Sequence, residues 1–168
     1  MAAGGCLAKI DLYGPADRHL QATGTFHLHG SVHNVTFQDA NGVVTTLGLL
    51  EAEGDDAMMA HLYLTPQGET APSANLRFQF SREHQVAAAV LVALDKQRRI
   101  HSWMTRGRFG RDDVTLVHDS WNPGDTVLPP ESFSYLPELR PALVESACAE
   151  VLPPSSVEWA RVPDVGWL

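Results

Sequence analysis

Three histidines within seven residues are the first side chains whose types and spacing suggest chemistry. They stand in Phe26-His27-Leu28-His29-Gly30-Ser31-Val32-His33. On an extended strand His27 and His29 project to the same side, because side chains alternate with a period of two. A hairpin turning at Gly30-Ser31 would bring His33 back toward them. Three imidazoles on one surface suit zinc or another divalent cation, with an Asp or Glu nearby to complete the set. The same residues equally suit a solvated strand face without a ligand. The fuller cupin pattern, with a following glutamate and a second histidine block, is absent.

Other chemistry finds less support. Ser, His and Asp are present, but no G-x-S-x-G elbow presents a nucleophile. Cys6 and Cys148 are far apart, match no zinc spacing and read as two thiols in a reducing compartment. The glycines in Arg106-Gly107-Arg108-Phe109-Gly110 lack the strand–loop–lysine context of a phosphate loop. No catalytic residue, metal or cofactor is assigned on this basis. A small β-rich biosynthetic enzyme using His27, His29 and His33, with or without a metal, stays open as the alternative. A non-catalytic β domain with an apolar pocket stays open too.

Charge is the broader signal. The chain carries a formal −8, with 12 basic and 20 acidic residues. Six of the basic residues (Lys96, Arg98, Arg99, Arg106, Arg108, Arg111) fall within 96–111, with no acid among them. Trp103 and Phe109 are interleaved with them, a mixture that can stack bases and clamp phosphates. The acidic remainder disfavours general nucleic-acid binding and favours a basic protein partner, so those arginines are expected to pair internally or to meet a carboxylate. Charge and expected exposure select Glu51, Glu53, Asp55, Asp56, Asp112, Asp113 and Asp119 as partner-binding candidates, with Trp121 as aromatic anchor.

These residues need elements to hold them. No run of about eighteen apolar residues exists, so no membrane helix is expected. The start, MAAGGCLAKIDLYG, has neither a basic opening nor a hydrophobic run, so no secretory signal is expected and the location reads as cytoplasmic. Residues 22–37 read as strand material. Asp39-Ala40-Asn41-Gly42 reads as a turn between strands, and residues 43–53 as a strand or a strand entering a short helix. Residues 58–65 alternate, and so do 75–80, with Leu76, Phe78 and Phe80 inward and Asn75, Arg77 and Gln79 outward. Val86 to Leu94 is apolar throughout, a central strand covered on both faces. Further strands are expected at 99–105 and 113–119. Leu139, Leu143, Ala147 and Val151 recur every four residues and share one helix face, widened by Leu136, Val144 and Cys148. Pro141 is expected in the first turn, beside Glu138. Pro153 and Pro154 stop the helix, and Val157-Glu158-Trp159 makes a closing strand. The fold class is α+β, a largely antiparallel sheet with one main helix near the C-terminus packed on it.

From Leu76 to Trp159 this order of parts resembles the Imm1 family of bacterial immunity proteins. The pieces that carry the resemblance are LRFQF, VAAAVLVAL, HSWMTRG, VTLVHDSW, LPPESFSYLPELRPALVE and PPSSVEW. The sharpest are Pro129-Pro130-Glu131-Ser132, Leu139-Arg140 with Ala142-Leu143 and Glu145, and Val157-Glu158-Trp159. Pro141 departs from the pattern, since a helix-forming residue is usual there. The resemblance divides the chain into residues 1–36, an extension or additional strands, and residues 37–168, the Imm1-like domain. It implies a cytoplasmic antitoxin that neutralises a cognate toxin, often a nucleic-acid deaminase, by binding and not by chemistry. The implied partner is that toxin, with no nucleic acid, no membrane and an oligomeric state that the sequence leaves open.

Overall fold

The computed structural model describes residues 9–13, 20–53, 58–117, 127–148 and 151–163. The fold is α+β. A mainly antiparallel sheet is built from β2 (Leu20–Leu28), β3 (Ser31–Phe37), β4 (Met58–Pro66), β5 (Ala74–Ser81), β6 (Val86–Leu94), β7 (Ile100–Thr105) and β12 (Trp159–Arg161). Its spatial order is β12-β7-β6-β5-β4-β2-β3, so β3 and β12 are the edges. The short β10 (Ser134–Tyr135) joins the start of β6, where β7 does not reach. Two small pairs complete the sheet content: β1 (Ile10–Asp11) with β11 (Val151–Leu152), and β8 (Leu116–Val117) with β9 (Val127–Leu128).

Strands β5 and β6 form the centre because their side chains leave no solvent-facing side. Leu76, Phe78 and Phe80 oppose Leu91, Ala89 and Ala87, and all six are buried. They meet helices α1 (Ala40–Glu53) and α2 (Leu136–Cys148) in the main core. The opposite face of β6 (Val86, Ala88, Val90, Val92) is covered by Leu116, Leu128 and Phe133. The domain is therefore three layers: helices, sheet, and a flap formed by residues 106–117 and 127–135.

That third layer corrects the expectation for β5. Asn75, Arg77 and Gln79 do alternate away from the main core, but they are buried, at 1%, 1% and 7% exposure. The Gln79 side-chain oxygen accepts the Val117 N–H of β8. Period-two patterning distinguishes two faces; it does not tell whether polar side chains on the second face meet water or flap backbone.

Helix α1 is the second departure. The Asp39-to-Gly42 stretch is no strand–strand turn: the Asp39 carboxylate accepts the Gly42 N–H at 3.0 Å and caps the helix. Val43, Leu47 and Leu50 then face the core at helical spacing. Helix α2 buries Leu136, Leu139, Leu143 and Ala147 as its period requires. Pro137, not Pro141, occupies its first turn. Pro141 lies inside the helix on its exposed side and forfeits a hydrogen bond to the Pro137 carbonyl. Glu145 on α2 accepts the N–H groups of Ser155 (3.0 Å) and Ser156 (3.2 Å), which ties the helix to the approach of β12. Trp159 is a core residue, with its indole N–H donated to the Pro154 carbonyl at 3.0 Å.

Candidate functional site

The three histidines do not converge. The β2–β3 turn is His29-Gly30, with φ of +51° and +73°, one residue earlier than expected. It places His33 opposite Phe26, and the two rings stack with centroids 5.6 Å apart. His33 thus shares the sheet face of Phe26, while His27 points from the other face. His29 sits on the turn, its Nε2 3.5 Å from the Glu53 carboxylate, both groups exposed. Among the described residues no group of three His, Cys, Asp or Glu is arranged to hold a metal ion. An apolar gap beneath α1, lined by Phe26, Phe37, Leu47, Leu50 and Phe78, measures about 20 Å³, room for roughly one water.

The basic window resolves largely into internal partnerships. Lys96 pairs with Asp11 at 3.2 Å. Arg98 lies over the Tyr13 ring, 4.5 Å from its centroid. Arg108 approaches Glu158 at 3.7 Å, and Arg111 grips Asp113 through two bonds of 2.9 and 2.6 Å. Asp95 is the hub of the β6–β7 turn. It accepts the backbone N–H groups of Gln97 and Arg99, each at 2.9 Å, the Arg99 Nε–H at 2.8 Å and the His101 Nε2–H at 2.9 Å. Burial pushes its carboxyl up, but these donors outweigh burial and hold it well below the usual carboxylate range. An arginine can only donate, so the contact between Arg161 and His101 Nδ1 at 2.9 Å makes Nδ1 the acceptor and leaves Nε2–H for Asp95. This network fastens β12 to β7.

The acidic candidates separate by the same criterion. Glu51 is committed inside the domain, where it makes a two-pronged pair with Arg140 that joins α1 to α2. Asp113 is held down to about 2, first by its hydrogen bonds from Arg111. Asp112 is exposed and in no ion pair among the described residues. Glu53 is exposed beside His29. Asp55, Asp56, Asp119 and Trp121 lie outside the described residues.

The flap assembles a surface that no single motif announced. Gly107 N–H bonds to the Glu131 carbonyl (2.8 Å) and Phe109 N–H to the Phe133 carbonyl (3.2 Å). These bonds bring Phe109 under Tyr135, with ring centroids 3.6 Å apart, and Tyr135 remains 44% exposed. Glu131 lies on the turn Pro130–Ser132 against which Gly110 packs. Glu138 follows Tyr135 by three residues, at the start of α2. Beside Phe109 opens a cleft of about 460 Å³, lined by Arg106, Arg108, Glu138 and Glu158 among others. The arrangement offers an aromatic contact, exposed carboxylates with arginines beside them, and a recess deep enough for a partner's side chain. It presents no nucleophile–base pair.

No protein-family model, curated protein or solved structure matches the chain. Sequence reasoning selected Asp112, which is exposed, weighed Tyr135 among the aromatic candidates but preferred Trp121, and did not select Glu138. The available signal was Tyr135 at the helix entry, an amphipathic ring beside a loop where Gly107 and Gly110 allow close backbone approach.

Proposed function

We propose that this chain is an immunity protein that neutralises a cognate bacterial toxin by binding and occlusion. A toxin that acts on nucleic acid, such as a deaminase, presents a positive face, and an acidic surface complements it. The observation that carries the reading is the flap surface. Tyr135, supported by Phe109, is exposed, as are Asp112, Glu131 and Glu138 on the same flap and at the start of α2, and none of these three acids is in an ion pair among the described residues. A central aromatic with unneutralised carboxylates is the composition of an interface hot spot directed at a basic partner. The resemblance across residues 76–159 supports the same reading, and a cytoplasmic location goes with it. Among the described residues no helix is long and apolar enough to cross a membrane.

The test is co-expression with the product of the adjacent gene. That product arrests growth alone, and this chain restores growth and co-purifies with it. Asp112→Lys combined with Tyr135→Ala weakens rescue while the variant stays folded. A harmless neighbouring product, or full rescue by the double variant, contradicts the assignment or the surface respectively.

A further inference from the structure

Residues 20–50 hold one charged side chain, Asp39, where the chain's 19% charged content would place about six. Asp39 itself is turned into the cap of α1. This uncharged stretch supplies β2, β3 and α1, and β3 is a sheet edge with every residue exposed or half-buried. Open edges are ordinarily protected by charge, proline, a bulge or brevity. β12, the opposite edge, has two of these, with three residues including Arg161. β3 has none: its seven residues are free of Lys, Pro, Asp and Glu and pair with β2 in unbroken register.

We infer that β3 is a self-association edge, along which two copies of this chain join antiparallel into one continuous sheet. The two-residue turn makes Leu28–Ser31 the closing hydrogen-bonded pair. Ser31, His33, Val35 and Phe37 therefore bond toward β2, and Val32, Asn34 and Thr36 direct their N–H and C=O groups outward. With Asn34 on a two-fold axis, Val32 faces Thr36 of the second copy, and about six backbone hydrogen bonds form. The side chains agree: two β-branched residues meet on each side of an amide pair.

Charge selects a second copy as occupant. Two chains of −8 repel wherever their carboxylates face one another, and this edge lets them approach without doing so. A basic partner gains nothing from an uncharged strand. Strand pairing alone buries less than the roughly 1,200 Å² of a stable interface. The axis stands perpendicular to the sheet, so both copies of α1 lie on the same side of it. Val32, Asn34 and Thr36 meet on the opposite face of the sheet, where the exposed Val32 (57%) of each copy adds apolar area.

Sedimentation of the untagged full chain, from about 1 to 200 μM, tests this. The expected mass is twice 18.3 kDa at the upper end, and Val32→Lys with Thr36→Lys restores the monomer without changing the circular dichroism. A monomer across the whole range overturns the inference, as does a dimer that survives the double substitution. Should that variant fail to fold, hydrogen exchange of the native chain decides. Slow exchange at Val32, Asn34 and Thr36, matching Ser31, His33 and Val35, supports the paired edge; fast exchange at the first three refutes it. Neither result depends on the toxin, so failure here leaves the proposed function standing.

Discussion

Gly107→Ala forces apart the two limbs of the flap, residues 106–117 and 127–135. A Cβ at Gly107 would lie 1.5 Å from the Phe133 oxygen, 2.0 Å from its carbonyl carbon and 2.7 Å from the Ser134 nitrogen. All three are backbone atoms, so no rotamer change relieves the clash. The 127–135 limb must retreat by roughly 2 Å to reach an ordinary contact distance. That displacement breaks the bonds Gly107 N–H to Glu131 (2.8 Å), Phe109 N–H to Phe133 (3.2 Å) and Thr105 hydroxyl to Ser132 (2.9 Å). At about 0.5–1.5 kcal/mol each, with about 1–3 kcal/mol of overpacking strain, the expected loss is about 2.5–7.5 kcal/mol. Urea unfolding at 25 °C followed by circular dichroism measures it. Gly48→Ala is the control of opposite sign: its Cβ would meet open space in mid-helix, and it should gain about 0.5–1 kcal/mol. A loss below about 1 kcal/mol for Gly107→Ala would refute the close approach of the flap's two limbs.

Two further predictions follow from the ion pairs. The Asp95 carboxyl is depressed in the folded state, so its contribution to stability is complete above the unfolded value near 3.9 and is lost as pH falls toward the lower folded value. Unfolding followed from pH 6 to pH 2 should steepen below about pH 4, and Asp95→Asn should flatten that limb; an unchanged slope removes Asp95 from the account. Glu51→Ala should cost about 1 kcal/mol of stability, because the pair with Arg140 is only partly shielded, and should leave toxin affinity unchanged. A tenfold loss of affinity at unchanged stability would return Glu51 to the interface.

Much of the sheet was legible because its signals are local. Leu76, Phe78 and Phe80 alternate, Val86 to Leu94 does not, and burial on one and both faces followed for those apolar side chains. The α2 face was equally plain in Leu139, Leu143 and Ala147, but Val151, read on the same face, lies beyond the helix end at Cys148 and pairs in β11. Helix α1 was hidden by its own composition: Val43, Val44, Thr45 and Thr46 favour strands, and Asn41-Gly42 imitates a hairpin turn. Its decisive features, the Asp39 cap and the Val43-Leu47-Leu50 spacing, were present but outvoted. The histidine reading failed on parity. Any two-residue turn pairs an odd position with an even one, so His27 and His33 belong to opposite faces whichever neighbouring pair forms the turn. The flap was least legible, because Leu116, Leu128 and Phe133 are scattered along a stretch without period and are gathered only by long-range contact with β6.

The central claim is occlusion without chemistry, and a titration tests it most directly. Purified toxin is assayed for its own activity while this chain is added in increasing amounts. Activity should fall linearly to an end point at one chain per toxin, with both intact masses unchanged. Loss of activity at a small fraction of that ratio, or a changed mass in either protein, would show that bonds are made or broken and would contradict the account.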